Sequence, residues 1–323
     1  MTAGAGKSWE GENGMDAMLT VVSKVLVMLI MIAVGYLITK KGLLTERGAS
    51  EITSILIRVV TPCLIIDSFL SGGDLEPFEL LLATAISALA IVLSILLSLP
   101  AFRKEPPERR KVLRFAIIFS NAGFMGIPLV QGIVGEKGVV YGSFFIAVFN
   151  VICWTYGYRM MNSSAKVSLR TVLFNPGIIG LVIALPLYFL GVELPAVAAE
   201  PIGFFSDLNT PLAMLVIGSY IAKVDLHSFV SDLAVYKMAA YRLVLAPAVF
   251  LVCLLFIRPS EGLLVTSVIQ ASCPVAANTV LFAVQYGGDS QLASKTVAVS
   301  TVLSILTIPV FTILAQLVSE LLH

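Results

Sequence analysis

Charged residues along this chain gather into short turns, and between them six stretches run for roughly twenty residues or more without one: 80–102, 115–135, 138–158, 171–192, 262–288 and 296–319. Each is long enough to cross a hydrocarbon core of about 30 Å as an α-helix. Four further stretches, 20–39, 51–69, 201–222 and 238–257, carry a charge or are short. Hydropathy alone does not decide these four.

Self-similarity decides them. Thr61-Pro62, Ser68-Phe69-Leu70, Asp74-Leu75 and Phe78 are echoed by Thr210-Pro211, Ser219-Tyr220-Ile221, Asp225-Leu226 and Phe229, at an offset of about 150 residues. Ile32-Ala33-Val34 matches Ile183-Ala184-Leu185 at a similar offset, Ser120 matches Ser272, and the turn Gly135-Glu136-Lys137 falls near Gly287-Gly288-Asp289. The chain therefore reads as one duplicated unit, with a first five-helix repeat over 18–158 and a second over 171–319, after a disordered polar tail over 1–17. Five is odd, so the second copy enters the membrane from the opposite side, as in many secondary transporters. The expected fold is all-α and integral to the membrane, with ten transmembrane helices arranged as two inverted repeats.

Composition agrees: 58% of the residues are apolar, 13% are charged and the mean hydropathy is +0.96, outside the balance of soluble domains. Lys and Arg collect in the loops after the odd-numbered spans, fifteen against four on the other side. This predicts a plasma-membrane protein with both termini outside. The basic residues sit in short turns facing the membrane lipid, and no stretch forms a nucleic-acid patch. Cys63, Cys153, Cys253 and Cys273 fall in apolar spans without CxxC spacing, and read as reduced packing residues rather than disulfides or a zinc site. Gly4 to Ser8 imitates a phosphate loop but lacks its first glycine and its strand. His227 and His323 are the two histidines, which leaves no triad and no hydrolase signature; the chain reads as a non-enzyme with no cofactor.

Two spans carry the candidate chemistry. The fourth reads Phe115-Ala-Ile-Ile-Phe-Ser-Asn-Ala-Gly-Phe-Met-Gly-Ile-Pro128, and the ninth places Ser272-Cys273-Pro274-Val-Ala-Ala-Asn278-Thr279 at its middle. Proline removes a backbone donor and glycine loosens the chain, so both helices are expected to break at mid-membrane, at matching places in the repeat. Unpaired backbone groups at that depth cost several kcal/mol each (about that order) unless protein, ligand or water satisfies them, so such breaks line cavities. The N-terminal ends of half-helices suit an anion, and Asn121, Asn278 and Thr279 add neutral hydrogen-bonding groups.

The stretch Ser120 to Pro128, Asn175-Pro176 opening the sixth span, and Cys273-Pro274-Val-Ala-Ala-Asn278 followed by Tyr286-Gly287-Gly288-Asp289 resemble the auxin efflux carrier family, which includes bacterial malate- or malonate-type permeases and the plant PIN exporters. The family is distantly related to bile-acid/sodium symporters. The resemblance covers nearly the whole chain from about Met18. It implies a scaffold of helices 1, 2, 6 and 7, a transport block of helices 3–5 and 8–10 with broken crossover helices 4 and 9, elevator-type alternating access, and a homodimer through the scaffold. Asn121, Gly123, Pro128, Pro274, Asn278 and Thr279 are the substrate-binding candidates. The chain has Asn121-Ala-Gly where the plant exporters have Asn-Pro-Asn, and it lacks their long cytoplasmic loop. Asn175-Pro176 is explained locally as a helix cap followed by proline at the first helical position.

The expected substrate is a small organic anion, a carboxylate, auxin-like or malate-like. Asp67 and Asp207 lie in spans two and seven, either as functional charges or at a headgroup region or watery crevice; Arg58 and Arg242 are expected to snorkel. Apart from Arg242, the apolar runs of the moving block hold no charge, so export driven by the membrane potential needs no coupled ion. A sodium- or proton-coupled symporter is the alternative, with Ser120, Asn121, Gln270 and Thr279 as neutral oxygens for sodium; an anion channel and an intramembrane protease are weaker ones.

Overall fold

A computed structural model describes residues 14–73, 76–162, 170, 174–222, 232–286 and 288–322. Most of the expected tail, His227, His323, Asp74 and the 225–229 portion of the repeat lie outside them. The described residues form helices without a strand: α1 (Gly14–Lys40), α2 (Glu46–Ser71), α3 (Pro77–Ser98), α4a (Pro107–Ile118), α4b (Ala122–Ile133), α5 (Glu136–Met161), α6 (Pro176–Phe189), α7 (Ala196–Ala222), α8 (Leu233–Ile257), α9a (Glu261–Ser272), α9b (Asn278–Gln285) and α10 (Ser290–Leu322).

Six of these, α2, α3, α5, α7, α8 and α10, are long and apolar enough to cross a membrane. Leu26–Lys40, α4b and α6 are apolar but shorter. Three stretches that hydropathy leaves open, the second, seventh and eighth, are therefore long helices, while the charge-free fourth and ninth are each two helices. Lack of charge measures solubility in lipid; it does not measure backbone continuity.

Local chemistry sets the ends. Thr45 and Asp232 cap α2 and α8, accepting from Gly48 N at 3.1 Å and Ala234 N at 3.1 Å. Gly135, at φ +84°, makes the turn between α4b and α5, a conformation that favours glycine. Buried hydroxyls on α3 and α10, such as Ser87, Ser94 and Thr301, bond back to carbonyls of their own helices, which hides them from lipid. Large apolar side chains such as Leu81, Val182, Phe256 and Leu306 are exposed, and in a bilayer these meet acyl chains.

The helices pack in two groups that also touch each other, α2 and α6 on α5 and α1 on α10. α1 crosses α7 so closely that a Cβ on Gly218 would lie 2.1 Å from the Ile32 carbonyl oxygen, and one on Gly35 2.4 Å from that of Leu215; small residues at such crossings let backbones approach. α2 packs on α6, with Gly180 against Pro62, and on α7. The second group joins α3, α5, α8, α9a and α10, with α4a against α3 and α10. All four cysteines are free, two of them buried.

Candidate functional site

The two broken helices meet at their breaks. α4a ends at Ile118 and α4b begins at Ala122; α9a ends at Ser272 and α9b begins at Asn278. The intervening strands of chain run antiparallel and pair: Asn121 N–H donates to Pro274 O at 2.7 Å and Ala276 N–H to Phe119 O at 2.9 Å, an isolated bridge between Ser120 and Val275. Val275 N–H donates to Ser300 Oγ at 3.0 Å on α10. The crossing thus satisfies much of its own backbone where lipid could not.

The fourth-span break lies earlier than its glycines and proline. It falls at Phe119 to Asn121, whereas Gly123 and Gly126 sit in a π-helical turn, Ala122–Gly126, and Pro128 is buried in the first turn of the α-helix that follows. Pro128 has no N–H to donate, and it comes just after the π-helical turn, where the helical hydrogen-bond ladder is locally shifted. Pro274 lies within the ninth-span break, as expected.

A cavity of about 190 Å³ opens beside this crossing, lined by Ser120, Asn121, Gly123, Asn150, Asn175 and Asn278 among its polar and small residues, with Ile57, Phe124, Phe149 and Trp154 among the apolar ones. Among the described residues its wall includes no Asp, Glu, Lys or Arg. The first N–H groups of a helix have no intrahelical acceptor, and those of α4b and α9b begin at Ala122 and Asn278, both on the wall; at α9b the next two, of Thr279 and Val280, already donate to the carbonyls of Ala276 and Ala277. Both helix starts carry the positive end of a helix dipole. Three of the four π turns among the described residues, Leu56–Val60, Ala122–Gly126 and Cys153–Gly157, supply wall residues; such turns recur at functional sites because they re-aim backbone and side chains.

Of the candidates named from sequence, Ser120, Asn121, Gly123 and Asn278 stand together in this wall. Pro128, Pro274, Thr279 and Gln270 do not. Gln270 is 1% exposed and donates from Nε2 to the Gly142 carbonyl at 3.2 Å, while Thr279 is wholly buried, its hydroxyl without a partner. Asp67 is half-buried in α2 and Asp207 exposed on α7, both away from the wall. Sequence reasoning missed Asn150 on α5, and gave Asn175 a cap only; Asn175 does cap α6, accepting from Gly177 N at 3.0 Å, and also faces the cavity. An asparagine in an apolar run, as Asn150 is, was the available signal.

Arg242 corrects an expectation. It does not snorkel: on α8 it is 2% exposed and is the largest fully buried side chain among the described residues. Its Nε donates to Cys273 O at 3.1 Å, Nη1 to Ile117 O at 2.9 Å and Ile118 O at 3.3 Å, and Nη2 to Ala271 O. These are carbonyls at the C-terminal ends of both first half-helices. Arg58 is exposed.

Ion pairs lie at the helix ends. Arg109, at the start of α4a, bonds Asp232 at 2.6 Å and Glu105 at 3.1 Å and comes within 3.6 Å of Asp289; the Asp232 carboxylate holds its guanidinium above the ordinary arginine range.

A family model described as membrane transport protein matches residues 20–170 and 163–312. The chain is similar to an uncharacterized transporter of Methanothermobacter thermautotrophicus, 26% identical over 303 residues, which spans 90% of this chain and 96% of that one. It is similar to an uncharacterized transporter of Methanocaldococcus jannaschii, 25% identical over 298 residues, 88% of this chain and 95% of that one. A Rhizobium meliloti protein named "Putative malonate transporter" is 25% identical over 237 residues, 70% of this chain and 73% of its own. The matched family and these relatives are transporters, not enzymes.

Proposed function

Because the chain belongs to the membrane transport protein family, the auxin efflux carriers of its sequence resemblance, we propose that it is a secondary transporter of small organic anions, with the cavity at the helix crossing as its substrate site. One observation carries this reading: two helix N-termini and four asparagines line a cavity whose wall has no charged side chain among the described residues. Backbone N–H groups and dipole ends attract an anion, and amides orient its oxygens without the desolvation cost of a buried ion pair. At about 190 Å³ the space lies below the usual range of roughly 300–1,000 Å³ for drug-sized ligands, which suits a small carboxylate of the malonate kind.

The wall also draws on both packing groups. Ile57, Thr61 and Asn175 come from α2 and the start of α6, whereas Asn121, Asn150 and Asn278 come from the block around the crossing. A site at such a boundary supports elevator-type alternating access, in which α3–α5 and α8–α10 carry the site past a scaffold of α1, α2, α6 and α7. The full reading is ten spans as two inverted repeats, a homodimer through the scaffold, and a plasma-membrane location with both termini outside. An interior-negative potential is worth about 2.3 kcal/mol per charge per 100 mV, roughly fortyfold for a monoanion, which suffices for export without a coupled ion.

Purified protein in proteoliposomes tests this. Malonate flux should saturate, show counterflow, follow an imposed potential, and be indifferent to sodium or proton gradients at fixed voltage. Flux without saturation or counterflow points to a pore; a strict need for either gradient replaces uniport by symport.

A further inference from the structure

We propose that Arg242 is the fixed counter-charge of the crossing, a positioning residue that makes the cavity select anions and that moves with it as a permanent positive charge. This rests on the reading of the cavity as a substrate site on a moving block. Its four acceptors are all backbone carbonyls, two from the end of α4a and two from the end of α9a and the residue after it. Each helix C-terminus carries about half a negative charge. The crossing therefore presents positive ends to the cavity and negative ends behind it.

Ser120 touches both sides: it lines the substrate cavity and also a space of about 10 Å³ bordered by Arg242. Left alone, the two negative ends would offset the attraction that the positive ends exert on an anion. The guanidinium cancels them and ties both ends into one unit. Its planar fork of five donors reaches all four carbonyls at once, which a lysine ammonium cannot. Its acceptors are neutral and arginine stays protonated, so a full positive charge remains in the block when the cavity is empty. A bound monoanion makes the pair neutral; a dianion leaves one negative charge.

Binding of malonate and of its uncharged diamide to the wild type, Arg242→Gln and Arg242→Lys tests selection. Arg242→Gln should weaken malonate about tenfold or more while changing the diamide by less than about twofold, and Arg242→Lys should keep most of the malonate affinity. Where the diamide gives no signal, the monomethyl ester, one charge smaller than malonate, takes its place and should lose less than malonate does. Equal losses for both ligands, or no loss for malonate, overturn the proposal. Should the variants not fold, the wild type decides: a voltage step on substrate-free proteoliposomes should move positive charge transiently, and saturating malonate should reverse its sign. No charge movement without substrate overturns the role of Arg242. Wild-type protein that binds neither malonate nor its ester overturns the substrate-site reading instead.

Discussion

The backbone N–H of Asn121 donates to the carbonyl of Pro274 across 2.7 Å, although 153 positions separate the two in the chain. Proline's carbonyl is a full acceptor even though its nitrogen donates nothing. The bond therefore uses the one polar backbone group that Pro274 retains, and leaves the Asn121 side chain to the cavity.

Asn121→Ala and Asn278→Ala should each weaken malonate binding with little loss of folding, since each amide faces the cavity wall rather than filling core. A hydrogen bond to a charged ligand is worth about 1.5–3 kcal/mol, so roughly ten- to hundredfold in affinity is expected. Asn150→Ala should behave alike. Calorimetric titration checks all three, and unchanged affinity in every variant moves the site elsewhere.

Glycines with opposite surroundings should give opposite results. A Cβ on Gly218 would meet Ile32 O at 2.1 Å and Tyr36 N at 2.7 Å, both backbone, so Gly218→Ala should lower the melting temperature, with a cost of about 1–3 kcal/mol. A methyl on Gly123 meets nothing within 4 Å but enters the cavity; Gly123→Ala should melt like the wild type and bind malonate less well. Thermal unfolding with and without malonate separates the two effects.

Thr279→Val should leave binding within about twofold and leave stability equal or improved. The Thr279 hydroxyl is buried and unpartnered, and such a group costs about 1–3 kcal/mol in lost hydration. A large fall in affinity would give Thr279 a direct role in the site.

In a background without native cysteines, Lys104→Cys should be shielded from an impermeant thiol reagent in intact cells, and Glu76→Cys should react. Both positions are exposed, so accessibility depends on the side of the membrane alone. The reverse pattern inverts the orientation drawn from the basic loops.

Most of the helices were legible in the sequence, because a stretch such as 80–102 or 296–319 has no stable place except lipid or core, whatever its neighbours. The breaks in the fourth and ninth spans were legible too, from glycine, proline and asparagine in otherwise apolar runs, and so were four of the wall residues, Ser120, Asn121, Gly123 and Asn278. The place of the fourth-span break was not. Local propensity favours Gly123 to Pro128, but the chain gives up its helix at Phe119 to Asn121, where bonds to Pro274 O and from Ala276 N–H satisfy the freed groups. That pairing joins residues about 155 apart, and no local pattern records it. Arg242 shows the same limit. An arginine near a helix end reads as snorkelling by its length and charge, and only the tertiary fold brings four carbonyls from two other helices within reach of its guanidinium. Hydropathy and backbone preference are properties of a segment, so the sequence alone determined the membrane class, most of the helices and the two weak points. Which polar groups meet at those points depends on distances between segments, and the tertiary structure decided that.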